Sequence, residues 1–269
     1  MRDDLKATVI RENLPSQWLV DPRVTVLPSV DSTNTYAKQR LNHRFEIVVA
    51  ERQTAGKGRF HHRFVSPAQS GIYLTIVWPL NDQADGGLEA ARAAVAVVQA
   101  VAAVTGLELA IKWPNDLVFR HQKRGGLLIE QVQTSAGWQL LIGIGLNLAA
   151  TDVPALPVSL TLADTPNQQW TRNQVIAAIY GQLTALFQQP AATWLAVYRQ
   201  SVLWVGERVQ FNVSGQAMIG ILQGFDPHNR LQVQPQTGPL LVLEAERVSE
   251  LMPLDQDYQK PNEPSNDFT

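Results

Sequence analysis

Four short stretches of this chain set glycine or proline beside cationic, amide or carboxylate side chains, and each could do chemistry. The first is Gln53-Thr54-Ala55-Gly56-Lys57-Gly58-Arg59. Its glycines let backbone amides approach an anion closely, and Lys57 and Arg59 add positive charge beside them. An anionic ligand is the natural partner, and a solvated loop with turn glycines is the plain alternative. The stretch is neither a Walker phosphate loop nor a dinucleotide fingerprint. The second, Lys112-Trp113-Pro114-Asn115-Asp116, gathers a lysine, an amide and a carboxylate around a rigid proline. Asp116 there could bind a metal or accept a ligand hydrogen bond, or the segment is an ordinary turn over a buried Trp113. The third, Lys123-Arg124-Gly125-Gly126, leads into the apolar Leu127-Leu128-Ile129. A lysine at a strand start reaches into a pocket, or it sits solvated at a hairpin tip. The fourth, Gly143-Ile144-Gly145-Leu146-Asn147, puts glycines inside a strand, where they weaken it unless a ligand or backbone lies against them. A bulge followed by an Asn turn is the competing reading.

Other residues carry weaker signals. Ser32 sits in Asp31-Ser32-Thr33-Asn34, a run of helix-capping residues, with no nucleophile elbow around it, so capping is its default role. His61 and His62 have no acidic or thiol partner nearby in sequence. The chain has no cysteine, which excludes disulfides, thiolate nucleophiles and Cys-rich zinc sites.

The elements that must position these stretches follow from periodicity. Arg23–Leu27 and Glu46–Ala50 are strand candidates, with a short helix over Thr35–Leu41 between them. Gln53–Gln69 has no apolar period and is long for a structureless loop, a length that usually accompanies function or disorder. Gly71–Pro79 alternates with both faces apolar, as in a strand covered on both sides. Gly86–Gly106 is an alanine-rich helix stopped by Gly106, and Leu109–Ile111 and Leu117–Phe119 are short strands. Gly125–Val132 and Gln139–Leu148 pair as a hairpin. Asp152–Pro166 is a proline-punctuated connection, followed by helices over Thr171–Phe187 and Ala191–Arg199. From Val205 to Ala245, short strands separated by turn residues suggest a small barrel-like β unit of roughly 50 residues, too small to stand alone. Asp255–Thr269 is a polar tail.

Composition bounds the rest. Across 269 residues, 22 Lys and Arg against 24 Asp and Glu give a net charge of −2, which argues against bulk attraction to nucleic acid. A hydrophobic fraction of 45% supports a sizeable core. No secretory signal is visible, and the apolar run Leu88–Val104 is interrupted by Glu89, Arg92 and Gln99, so it reads as a core helix. A cytoplasmic address is the expectation.

Taken in order, these stretches resemble the biotin protein ligases. The match rests on Asp31-Ser32-Thr33-Asn34, Gln53 to Arg59, Lys112 to Asp116, Lys123 to Glu130 and Ile142 to Asn147, and it spans roughly residues 27–250. The resemblance implies an α+β fold: a catalytic domain (1–202) with a mixed sheet flanked by helices, of the class II synthetase-like, biotin/lipoate ligase type. A small SH3-like β-barrel (203–252) and a tail (253–269) would follow. It implies that biotin and ATP form biotinyl-adenylate with Mg²⁺ present, and that a lysine of a biotin carboxyl carrier domain then takes the biotinyl group. By resemblance, Ser32, Thr33 and Gln53 orient biotin, while Gly56, Lys57, Gly58 and Arg59 wrap its carboxylate and the α-phosphate. Lys123 sits at the reacting junction, so Lys123, Arg59 and Lys57 are the catalytic candidates. Lys112, Asn115, Asp116, Gly143, Gly145 and Asn147 serve the nucleotide, with Asp116 as metal ligand. The family loop commonly reads Gly-Arg-Gly-Arg-Arg-Gly-Arg, whereas Gly56-Lys57-Gly58-Arg59-Phe60-His61-His62 stands here. Lys57 keeps the charge without arginine's planar fork. The roughly 25 residues ahead of the match are too few for the DNA-binding domain of some relatives, so no DNA partner is expected, and with Leu88–Val104 read as a core helix no membrane partner is expected either. A monomer or weak homodimer is expected. A lipoate or other acyl-acid ligase of the same fold, and a non-catalytic binding module, are the rival readings.

Overall fold

Alternation along the strands builds a sheet with two unlike faces, seen in a computed structural model that describes residues 3–15, 21–148 and 169–254. The connection at Asp152–Pro166 and the tail Asp255–Thr269 lie outside the described residues. Seven strands run in the order β1 (Arg23–Leu27), β2 (Glu46–Ala50), β3 (Gly71–Leu80), β7 (Gly137–Asn147), β6 (Gln122–Thr134), β5 (Asp116–Phe119) and β4 (Ala110–Lys112). Only β1 and β2 are parallel, so the sheet is mixed, as expected. The crossover between these two carries α2 (Thr33–Lys38), consistent with the need of parallel neighbours for a connecting element.

On one face Ile72, Leu74 and Ile76 of β3 join Leu140, Ile142 and Ile144 of β7 in a dry core. Helices α3 (Gly86–Thr105) and α4 (Arg172–Phe187) cover it, with α5 (Ala191–Ser201) packed on α3 and α1 (Ala7–Glu12) on α4. Asp85 caps α3 by accepting from the Gly87 and Leu88 amides at 2.9 and 3.2 Å, and Gly106 ends it in the left-handed region at φ 74°. This helix is long and apolar enough to cross a membrane, yet its alanines and valines are spent on the core. A capping box of Thr171 and Gln174 starts α4. On the other face, α2 packs a small cluster of Ala37, Val48, Val77 and Leu141, and Phe64 of the loop between β2 and β3 lies over Gly145.

The C-terminal strands do not close. Strands β8 (Arg208–Val213), β9 (Gln216–Phe225), β10 (Leu231–Pro235), β11 (Leu241–Leu243) and β12 (Val248–Pro253) form an antiparallel sheet in the order β11-β10-β9-β8-β12. The edges β11 and β12 are not paired with each other, so the expected SH3-like β-barrel is absent and the sheet is open. Strand periodicity reports that strands exist, whereas closure requires the first and last to meet in register. Here β11 has three residues, and β12, which the sequence reading did not anticipate, adds outside β8. The core runs on without a break from the large sheet through Val209, Phe211, Leu222, Leu231 and Val233.

Candidate active site

Directly paired residues in a ladder point to the same face, so register decides which groups share a surface. One row crosses the large sheet as Lys112, Asp116, Gly126, Gly145, Tyr73 and Ala50, from β4 through β5, β6, β7 and β3 to β2. It begins with a cation and a carboxylate and passes over two glycines. Lys123 would face away in a regular ladder, but the register shifts between Leu117 and Val118, and the extra residue sets Lys123 opposite Val118. That bulge turns it to the face of Asp116, where its Nζ lies 2.7 Å from Asp116 Oδ1. Both side chains remain partly open to solvent.

The loop after β2 lies over this face. The Gln53 side chain accepts from the Thr33 amide at 2.8 Å and donates to Ser66 Oγ at 2.9 Å, which ties the start of α2 to both limbs of the loop. Gly56 is required by packing: a Cβ there would lie 2.4 Å from the Phe64 carbonyl oxygen. Arg59 reaches from the loop to donate to Asn115 Oδ1 at 3.4 Å and to the Ala245 carbonyl at 2.6 Å. Burial lowers the pKa of its guanidinium from the usual arginine value, opposed by Glu246 and Asp116. Asn115 in turn donates to the Leu127 carbonyl at 2.8 Å, so the loop, the 112–116 segment and β6 form one connected frame. Trp113 is buried and donates to the Asn229 carbonyl at 3.1 Å, joining that segment to the second sheet.

Not every expected residue lands where a ligand is met. Ser32 is buried and caps α2, accepting from the Thr35 amide at 3.5 Å. Lys57 is exposed on the loop. The space over Gly143 and Gly145 is used by the chain itself: a Cβ on Gly143 would lie 2.5 Å from Asn34 Oδ1, and one on Gly145 would lie 2.4 Å from Phe64 Cζ. Asn147 is buried at the end of β7 on the same face, and its Oδ1 has no hydrogen-bond partner among the described residues. Lys112 lies 5.7 Å from the centre of the Trp204 ring.

The sequence reading missed a polar network between α2 and the sheet. Asn34 donates to Glu130 Oε2 at 2.9 Å, Lys38 pairs with Glu130 Oε1 at 3.1 Å, and the buried Thr75 hydroxyl donates to Asn34. Burial pushes the Glu130 carboxyl up, but the hydrogen bonds from Asn34 and Lys38 and the charges of Lys38 and Lys57 outweigh it and hold it below its ordinary range. Thr75, in phase with Tyr73 on an otherwise apolar strand, was the available signal. Among the described residues, no three His, Cys, Asp or Glu side chains gather to hold a metal ion.

Lys112, Asp116 and Lys123 share one face of the sheet beside the loop that brings Arg59 to Asn115, an arrangement of cations able to receive anionic groups. Residues 26–147 match the model of the Biotin/lipoate A/B protein ligase family. The biotin–[acetyl-CoA-carboxylase] ligase of Mycobacterium tuberculosis is 33% identical over 195 residues, covering 69% of this chain and 71% of that enzyme. The chain therefore belongs to the biotin protein ligase family. The bifunctional ligase/repressor BirA of Escherichia coli is 28% identical over 222 residues, covering 78% of this chain and 69% of BirA. The fold agrees with solved structures. A biotin protein ligase from Aquifex aeolicus, in complex with biotin and ATP, superposes with TM-score 0.70 at 24% identity, covering 86% of this chain and 99% of that one. The ligase from Leishmania major with biotinyl-5-AMP gives 0.56 at 21% identity, covering 84% and 100%.

Proposed function

We propose that this chain is an ATP-dependent biotin–protein ligase that activates biotin as biotinyl-5′-adenylate and delivers it to a lysine of a biotin carboxyl carrier domain. In the first step a biotin carboxylate oxygen bonds to the α-phosphorus and the bond to pyrophosphate breaks. In the second the carrier amine bonds to the acyl carbon, loses a proton, and AMP leaves with the carbon–oxygen electrons. The observation that carries the reading is the shared face of Lys112, Asp116 and Lys123 under the loop that brings Arg59 to Asn115.

Two anions must meet here, and fixed cations offset their repulsion and bind the charge that grows on phosphate. Lys123 is held at rest by Asp116, and an incoming phosphate oxygen competes for the same ammonium. Arg59 and the segment Gly56-Lys57-Gly58 enclose the carboxylate and α-phosphate. Thr33 and Gln53 form the biotin end, with Ser32 capping the helix that carries Thr33. Lys112, Asn115, Asp116 and Asn147 form the nucleotide end, where the Asn147 oxygen, unpaired among the described residues, supports a ligand donor, while Gly143 and Gly145 make room for Asn34 and Phe64. The donors do not make a resident magnesium site, since Asp116 is one carboxylate already neutralised by Lys123. Magnesium that enters with ATP is held chiefly by the triphosphate.

We further propose a cytoplasmic setting without DNA or membrane partners, a monomer or weak homodimer, and functional units at 1–202 and 203–252. Incubation with biotin, ATP, Mg²⁺ and a carrier domain should raise the carrier mass by one biotinyl group. Without the carrier, pyrophosphate should still be released. Lipoate activation in place of biotin, or ligand binding without pyrophosphate release, would overturn the assignment.

A further inference from the structure

The glycine–basic loop leaves the sheet after β2 and returns at Gly71, and its two roots are neighbours because Ala50 pairs with Tyr73. One side chain reaches both roots from outside. Arg172, at the first turn of α4 and only 5% exposed, donates from Nη1 to Glu51 Oε2 at 2.8 Å and from Nη2 to Glu51 Oε1 at 3.0 Å. Glu51 directly follows β2. The same Nη1 lies 3.4 Å from the carbonyl oxygen of Gly71, the first residue of β3. The third arm ties down the N-terminal segment. Nε donates to Asp3 Oδ1 at 2.8 Å, the Arg172 amide donates to Asp3 Oδ2 at 2.8 Å, and Nη2 also meets the Asp3 carbonyl. Glu51 Oε1 accepts the Leu5 amide as well, at 3.2 Å. A bidentate fork is the strongest and most directional of these links, and lysine cannot reproduce it.

We propose that Arg172 is a positioning residue for the site, a clamp that fixes both roots of the 52–70 loop so that Gly56 to Arg59 return to one place over Lys123 and Asp116. It touches no reacting group and acts through Glu51 and Gly71. Its functional consequence rests on the ligase reading above, whereas the clamp itself does not. Of its three arms, only those to Glu51 and Gly71 hold the loop. The Asp3 arm holds the N-terminus.

The test is amide hydrogen exchange of the ligand-free full chain, paired with steady-state kinetics. Glu51→Gln and Arg172→Lys should speed exchange of amides 53–66 by about tenfold while those of β7 between Leu140 and Ile144 stay protected. Both variants should raise the KM for biotin more than they lower kcat. Asp3→Asn, which loosens only the N-terminal arm, should leave loop exchange and KM at wild-type values. Glu51→Gln keeps the fold if Arg172→Lys does not. Unchanged loop exchange in a folded Glu51→Gln protein, or equal loosening by Asp3→Asn, would overturn the clamp. If exchange responds as expected but the wild type releases no pyrophosphate, the clamp stands and the ligase assignment falls.

Discussion

The two faces of the large sheet are made by the same strands and have opposite characters. On the helix face, Leu140, Ile142, Ile144 and Leu146 of β7 are sealed under α3 and α4. On the loop face the alternate residues Leu141, Gly143, Gly145 and Asn147 meet α2, the Asn34 amide, the Phe64 ring and an unfilled hydrogen bond. The helix face supplies stability through apolar area and close packing. The loop face gives up side-chain volume and carries buried polar groups, which is where binding and charge chemistry can be placed. A single strand can serve both ends because its period is two.

The contrast predicts different failures on the two sides. Ile142→Ala should cost ~2–5 kcal/mol of stability, read from urea unfolding, while the folded fraction keeps its KM and kcat. A matching loss of catalytic constants would mean the faces are coupled. Lys123→Ala should reverse the pattern: adenylate formation, followed by pyrophosphate release, should fall by about 10²–10³-fold with little change in unfolding midpoint. Gly145→Ala falls between. Its new methyl group must displace Phe64, so we expect a raised biotin KM together with ~1–3 kcal/mol of destabilisation from overpacking. The smallest effect is that of Glu130→Gln, below about 1 kcal/mol because the carboxylate is partly solvated. The folded state holds the Glu130 carboxyl below its ordinary range, so its contribution is present at neutral pH and fades as pH falls through that lowered value. Thermal midpoints of wild type and variant should therefore differ at neutral pH and converge in acid.

How much of this was legible in the sequence depends on how far each cause reaches along the chain. The helices α3 and α4 carry their own caps and apolar stripes, and β3 and β7 their own alternation, so all four can be read from local residues. The short α1 has no side-chain cap and β12 no strong alternation, and both were missed. Closure of the second sheet was misjudged because no local pattern states whether distant edges meet. At the site, the stretches around Gly56, Asp116 and Lys123 stood out by type. That Lys123 faces Asp116 depends on a bulge, and that Gly143 and Gly145 make room for Asn34 and Phe64 depends on contacts across roughly a hundred residues of chain. Arg172 lies 121 positions from Glu51 and belongs to no motif.

The second sheet reaches the site frame through Asn229, which receives Trp113, and Ala245, which receives Arg59, and both acceptors are main-chain carbonyls. A peptide oxygen is supplied by whatever amino acid occupies the position. Mutation can therefore rewrite Ala245 over time while the attachment persists, provided the backbone path is kept, whereas Asn229 is held in type by its left-handed backbone at φ 60° and by the hydrogen bonds its side chain donates to the Gly87 carbonyl and the Tyr198 hydroxyl. Ancestry in that region would be preserved in shape long after it has faded from the letters.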